Sequence, residues 1–269
     1  MDTHNWLLEH ESLIRLSVFF TVLSTMIILE TRIPRRQLLL SRWVRWPSNL
    51  GLVVFNSLLL RLLFPTAAVG IAMCCEQKQI GLLHFIAAGN ITAVLFAIVI
   101  LDLVIYFQHV LVHRIPLLWR LHQVHHADLD YDVTTGSRFH PLEILLSMII
   151  KTLAITALGA PALAVIIFEI VLNGMAMFNH SNIHLPAALD SAIRKVFVTP
   201  DMHRVHHSTK LVESNRNFGF NLSLWDRIFK TYQAQPTVTH ESMEIGLTQY
   251  RNPEQAANFF SLLNMPFKK

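Results

Sequence analysis

Cysteine is nearly missing from this chain. The two that occur, Cys74 and Cys75, are neighbours. Adjacent cysteines rarely bond to each other because the geometry is strained. No C-x-x-C occurs, so a disulfide framework and a cysteine zinc site are both excluded. Charge is scarce as well: Asp, Glu, Lys and Arg make up 15% of the 269 residues, against 52% apolar. With a mean hydropathy of +0.42, this is not the composition of an ordinary soluble domain. The net charge is only +4. The basic residues do not interleave with aromatics in a binding patch, so no nucleic-acid partner is expected. The amino terminus, MDTHNWLLEHESLIR, lacks the basic segment and small-residue cleavage site of a secretory signal and is expected to be retained. No low-complexity linker interrupts the chain, and nothing repeats except clusters of histidine. One domain over residues 1–269 is expected.

What is present in quantity is the long apolar run. A run of about 20 residues crosses a bilayer as a helix. Residues 12–30 form the first candidate. Arg32, Arg35, Arg36, Arg42 and Arg45 follow, and arginines crowded between apolar segments mark a cytoplasmic loop. Residues 48–75 read as one span kinked at Pro65 and burdened by Arg61, with two shorter helices as the alternative. The turn EQKQIG at 76–81 lies on the far side, and residues 82–108 return. Residues 142–158 and 161–179 form a hairpin about Gly159-Ala160-Pro161. Its first arm is only about 25 Å long as a helix, short of a hydrocarbon core of about 30 Å, and both its ends face the cytoplasm. The expected fold is all-α. It is a multi-pass membrane protein of about four membrane helices or helical hairpins, under a cytoplasmic histidine-rich cap.

Histidine supplies the second signal. His109 and His113 are four apart, and His122, His125 and His126 read H-x-x-H-H. The pattern returns in His180 and His184, then in His203, His206 and His207. Residues three and four apart share one helix face, so each cluster aims its imidazoles together. Ten such ligands suit two metal ions. The all-histidine donor set fits iron, zinc, copper or nickel rather than magnesium or calcium. Redox chemistry with dioxygen selects iron, with zinc a possible substitute in preparations. His4, His10, His84 and His240 lie outside the clusters and read as surface or interface residues.

The segments DLVIYFQHVLVH, RLHQVHH, SRFHPLE, FNHSNIH and TPDMHRVHHS, with the closing WDRIFKTY, resemble the fatty acid hydroxylase / sterol desaturase superfamily of membrane di-iron oxygenases. The resemblance covers roughly residues 30–235, and the motif-bearing core about 95–235. It implies two irons held by the histidine cap, and dioxygen and two electrons spent on hydroxylating or desaturating an aliphatic C–H of a lipid. It assigns one metal to His113, His122, His125, His184 and His203, and the other to His109, His126, His180, His206 and His207. If His184 stands aside, a water or His140 completes the set.

Three further polar residues are candidates around the metals. Asp102 shares a stripe with Tyr106, His109 and His113. A carboxylate inside a span is functional by default and suits orienting a ligand histidine, with an interhelical polar contact as the alternative. His140 is placed beside the metals or the substrate channel, or as a helix cap. Asp201 either fixes a histidine or pairs with an arginine. Trp225, Ile228, Phe229 and Tyr232 mark an amphipathic interfacial helix. No haem-binding or flavin-binding segment is recognisable, so electrons are expected from a separate ferredoxin, cytochrome or reductase. Hydroxylation of a fatty acyl chain, sterol or related lipid is the first expectation. A histidine-rich metal transporter or a non-catalytic metal-binding membrane protein is the alternative. A bacterial inner membrane is favoured over the endoplasmic reticulum.

Overall fold

The computed structural model describes residues 6, 10–86 and 90–268. Its long elements are α1 (Glu11–Arg32), α2 (Arg42–Leu63), α3 (Ala67–Lys78), α4 (Asn90–Arg114), α5 (Pro116–His126), α6 (Pro141–Leu158) and α7 (Ala162–Asn179). Shorter helices follow: α8 (Ala187–Ile193), α9 (Pro200–His206), α10 (Leu224–Ile228) and α11 (Phe259–Asn264). Among the described residues, strand pairing is confined to three isolated bridges. The chain is all-α.

Among the described residues, five helical segments are long and apolar enough to cross a membrane: Glu11–Arg32, Arg42–Phe85, Ile91–Arg114, Pro141–Leu158 and Ala162–Asn179. They are not equal. Only 6% of the apolar window of α1 is buried in the protein, against 50% for α7. Leu13, Leu16 and Phe20 of α1 are exposed, as lipid-facing residues are. Helix α7 is the axis of the bundle, packed against α1, α3 and α4. Small residues line those seams. Ala68, Ala72, Ala97, Ala162 and Ala164 are completely buried beside Leu101, Val165 and Phe168, and lack of bulk lets helix backbones approach closely.

The segment at 48–75 is two helices, not one kinked span. Helix α2 ends at Leu63 and α3 begins at Ala67, with Pro65 between them. Proline cannot continue the α2 hydrogen-bond ladder and disfavours helix at the residue before it. Arg61 therefore falls in the last turn of α2 and is exposed, not stranded at mid-span. The next span begins later than residue 82: a single turn, Leu82–Phe85, precedes α4. Helices α6 and α7 form on either side of Gly159-Ala160-Pro161 as expected, but each packs against α3 rather than forming a close pair. Gly159 closes α6 in the left-handed region, φ 63°, where glycine carries no Cβ penalty. Cys75 is buried and Cys74 exposed, both as free thiols.

The larger departure is the stretch after His126. The polar run at 114–141 reads from the sequence as a cytoplasmic connection, yet residues 127–136, with Asp128, Asp130 and Asp132, are buried. Their charges are compensated from α2. Arg45 donates to both carboxylate oxygens of Asp128 at 2.6 and 2.7 Å, and to Asp132 at 2.6 Å. Although burial raises it, Arg45 and Arg138 hold the Asp128 carboxyl below the usual range. Backbone N–H groups of Leu39 and Leu40 donate to Asp130. Arginines that read as topology signals therefore also tie the first loop to the histidine cap. Arg35 pairs with Asp201 and Glu241, and Arg36 donates to the carbonyls of His240 and Met243.

Candidate metal centre

The centre forms where four helix ends meet. The last two turns of α4 carry His109 and His113. At Ile115 the chain bends, and Pro116 opens α5 at a position where a missing N–H is harmless. Helix α5 folds back on α4 and brings His122, His125 and His126 to the same end. His180 caps the C-terminus of α7. Helix α9, capped by the Thr199 side chain, adds His203 and His206, and His207 follows at its end.

Nine histidines converge there in two groups. His109, His113, His122, His126 and His206 form one, and His125, His180, His203 and His207 the other. Within each group the ligand nitrogens lie within 4.8 Å of one another. Nε2 of His180 is 3.1 Å from Nε2 of His125 and 3.2 Å from that of His203, and the Nε2 atoms of His113 and His126 are 3.1 Å apart. Two nitrogens each about 2.1 Å from one ion, at right angles, sit about 3 Å apart.

The tautomers are set from behind. Nδ1 of His109 donates to the Phe218 carbonyl, that of His180 to Ala176, and that of His206 to Arg216, each at 2.8 Å. Nδ1 of His122 donates to Glu143 at 2.6 Å. A ring whose Nδ1 carries the proton presents a lone pair at Nε2. Nε2 of His109, His122 and His206, and both ring nitrogens of His207, are buried without a hydrogen-bond partner. Buried polar atoms are normally satisfied, and cations in two positions would satisfy these. Burial and the neighbouring imidazoles push His125, His126, His203 and His207 well below the usual histidine range, and burial takes His180 and His206 to about 3. These six histidines are therefore neutral near pH 7, the form that binds metal. The donor set fits two metal ions.

Aromatic rings close the site. Phe139 stacks on His125 with centroids 4.5 Å apart, Tyr131 on His180 at 5.5 Å, and Trp119 tilts against His113 at 5.0 Å. From the metal-facing side of His109, His122, His125 and His203, a cavity of about 330 Å³ runs among α1, α2, α6 and α7. That is the size of a small-ligand pocket.

Several expected roles change. His184 is exposed and lies outside both groups. It follows the end of α7, where its backbone N–H donates to the Ile33 carbonyl beside the Pro34–Ile183 bridge. The division between the metals also differs: His113 and His122 join His109, while His180 joins His125 and His203. Asp102 orients no histidine. Its carboxylate accepts from the Trp225 indole at 2.8 Å and the Leu222 N–H at 3.2 Å, pinning the α10 region to α4. His140 caps α6, accepting from the Leu142 N–H at 3.2 Å and donating to the Leu263 carbonyl at 3.1 Å. Asp201 pairs with Arg35 and Arg204, with His240 Nε2 3.6 Å away. His240 is buried rather than superficial, and its ring bonds Gln235. His4 lies outside the described residues. The helix expected to carry Trp225, Ile228, Phe229 and Tyr232 is shorter: it ends at Ile228, with Phe229 as its cap and Tyr232 beyond it, and Trp225 is buried while Ile228 and Phe229 are exposed.

Two supports have no clear mark in the sequence. Glu143, recognisable there only as an acid in a first helical turn, anchors His122. Asp226 accepts from the N–H groups of Phe218 and Gly219, each at 2.8 Å, and so holds the loop whose carbonyls anchor His109 and His206. Its one signal is its place in WDRIFKTY.

The profile of the fatty acid hydroxylase family matches residues 94–231, which contain all nine histidines. The chain belongs to the fatty acid hydroxylase family. Over 65% of its length it is 30% identical to an ornithine lipid hydroxylase of Rhizobium tropici, covering 50% of that protein. It is 26% identical to the human alkylglycerol monooxygenase over 53% of its length and 30% of the relative's. Against the human cholesterol 25-hydroxylase it is 24% identical over 51% of its length and 50% of the relative's. The chain spans half or less of the length of these curated relatives. No solved structure matches it.

Proposed function

We propose that this protein is a membrane-bound di-iron hydroxylase that uses dioxygen and two electrons to oxidise an aliphatic C–H bond of a lipid. One observation carries the reading: nine histidines converge at the end of a cavity walled by membrane-type helices. His109, His113, His122, His126 and His206 would hold one iron, and His125, His180, His203 and His207 the other. Two bound irons would supply the oxidising chemistry that no side chain can provide. The chain supplies the rest. The Nδ1 anchors hold each Nε2 in place, the rings of Phe139, Trp119 and Tyr131 exclude water, and the cavity aligns a C–H bond with the metals. The ornithine lipid, alkylglycerol and cholesterol enzymes are hydroxylases and monooxygenases, which favours hydroxylation over desaturation. Transporter sites lie near the bilayer midplane on broken helices, whereas these histidines sit at helix ends, which disfavours transport.

The arginine-rich loop after α1 supports a cytoplasmic metal site, and the bacterial relative supports a bacterial inner membrane. Electrons come from a separate ferredoxin, cytochrome or reductase. The test is the metal content of detergent-purified protein grown with iron, by elemental analysis and Mössbauer spectroscopy. The same membranes are supplied with a reductase system and isotopically labelled dioxygen. Two irons per chain, lost in His125→Ala/His206→Ala, and labelled lipid alcohols are expected. A well-folded preparation that binds no metal would sink the reading.

A further inference from the structure

The cavity that begins at the histidines also reaches three charged side chains on candidate membrane helices: Arg15 of α1, Lys151 of α6 and Glu169 of α7. Lys151 Nζ donates to Glu169 Oε1 at 2.7 Å, and Arg15 Nη1 lies 2.9 Å from Oε2. Both oxygens of the carboxylate are therefore engaged by cations. The cations are not fully engaged in return. An ammonium has three N–H donors and a guanidinium five. Among the described residues, Lys151 bonds Glu169 alone, and Arg15 uses only Nη1, on Glu169 and on Glu11 one turn before it. Both side chains line the cavity, so their remaining donors are open to whatever occupies it.

An ionisable group inside a span is costly and is retained for function by default. Glu169 is the one ionisable residue of α7. A clip between helices would require a single ion pair. Here Lys151 and Arg15 both engage Glu169 on the wall of a cavity, and Arg15 also pairs with Glu11 at the start of α1. Glu143, Ser147 and Lys151 recur every four residues on α6, so one face of that helix carries polar groups from the histidines to the charges. Phe19, Val53, Leu60 and Ile105 give the same cavity an apolar wall. At 1.5 Å per residue, Glu169 lies about 16 Å along α7 from His180.

We propose that Arg15 and Lys151 form the polar-group subsite for the lipid, binding an anionic oxygen group such as a carboxylate. The chain of that lipid then runs along the apolar wall toward the histidines. Glu169 holds the two cations in register. The inference builds on the lipid-hydroxylase reading for what becomes of the chain, but the binding itself needs no metal and no turnover.

The test is equilibrium binding of radiolabelled palmitic acid, methyl palmitate and hexadecane to the full chain in detergent, without added iron or reductant. A hydrogen bond to a charged group predicts that the acid binds about tenfold or more tightly than the hydrocarbon. Lys151→Met should abolish that preference and leave hexadecane binding unchanged, and Lys151→Arg should restore it. Should K151M fail to fold, K151M/E169Q removes the charge at both partners and serves the same purpose. Equal binding of acid and hydrocarbon by the unaltered protein would overturn the proposal. So would a preference that survives both variants, or no saturable binding of palmitic acid. An ester that binds as tightly as the acid would overturn the anionic assignment. Failure to find iron or oxygenated lipid would sink the hydroxylase reading and leave the palmitic acid preference standing.

Discussion

Nδ1 of His122 donates a 2.6 Å hydrogen bond to Oε1 of Glu143, joining the last turns of α5 to the first turn of α6. Both residues are buried, and the second oxygen of Glu143 has no partner. The contact orients the ring and raises its basicity toward a metal. Supporting contacts of this kind are worth about 10–100-fold in metal affinity. Glu143→Gln keeps the shape and loses the charge, so it is expected to weaken metal retention within that range. Competition with a chromogenic chelator measures it. Retention equal to the unaltered protein would show that Glu143 does not tune the site.

Gly136 sits against the anchor of another histidine. A Cβ there would lie 2.3 Å from the Ala176 carbonyl oxygen, the group that accepts from His180, and 3.1 Å from His180 Nδ1. Backbone cannot yield as a flexible side chain would. Overpacking of this sort costs about 1–3 kcal/mol. Gly136→Ala is therefore expected to lower the melting temperature and to release the metal of the His125, His180, His203 and His207 group before the other. Iron per chain, measured alongside thermal unfolding, separates those effects. Simultaneous loss of both irons would contradict that order of release.

His184 and His207 make a direct contrast. His184 is exposed and outside both groups, whereas both ring nitrogens of His207 are buried and unpartnered. His184→Ala should leave the metal content unchanged. His207→Ala should reduce it. Elemental analysis of the two variants, purified in parallel, decides the matter, and a loss of iron in the His184 variant would restore that residue to the ligand set.

Arg45 is fully buried between Asp128 and Asp132. Breaking a buried ion pair by removing one partner costs about 3–5 kcal/mol, because the other charge is left unpaired. Arg45→Met is expected to destabilise the protein by that order. Adding Asp128→Asn to it should recover part of the loss. Thermal unfolding in detergent, compared across the single and double variants, reads both numbers. A single variant as stable as the parent would mean that the acidic loop is held by other contacts.

The histidine clusters were legible because their information is local. A helix places residues three and four apart on one face, so His109 with His113, and His122 with His125 and His126, could be read as convergent before any fold was known. The apolar runs were legible for the same reason, since each needs only its own length and composition to qualify as a span. Glu143 was not legible in its supporting role. Its partner is His122, on a different helix, and no spacing rule connects them.

The sequence by itself determined the helices, their apolar character and the crowding of imidazoles at helix ends, because periodicity and hydropathy act within a single segment. Only the tertiary structure decided which histidines fall into one group and that His184 stands apart. It also decided that Asp102 holds Trp225 rather than a ligand, and that Arg45 neutralises a buried acidic loop rather than simply marking a cytoplasmic face. Each of those outcomes depends on how separate helices pack. The angle at Ile115 and the docking of α9 against the end of α7 choose the neighbours, and side chains brought together that way leave no periodic trace in the chain.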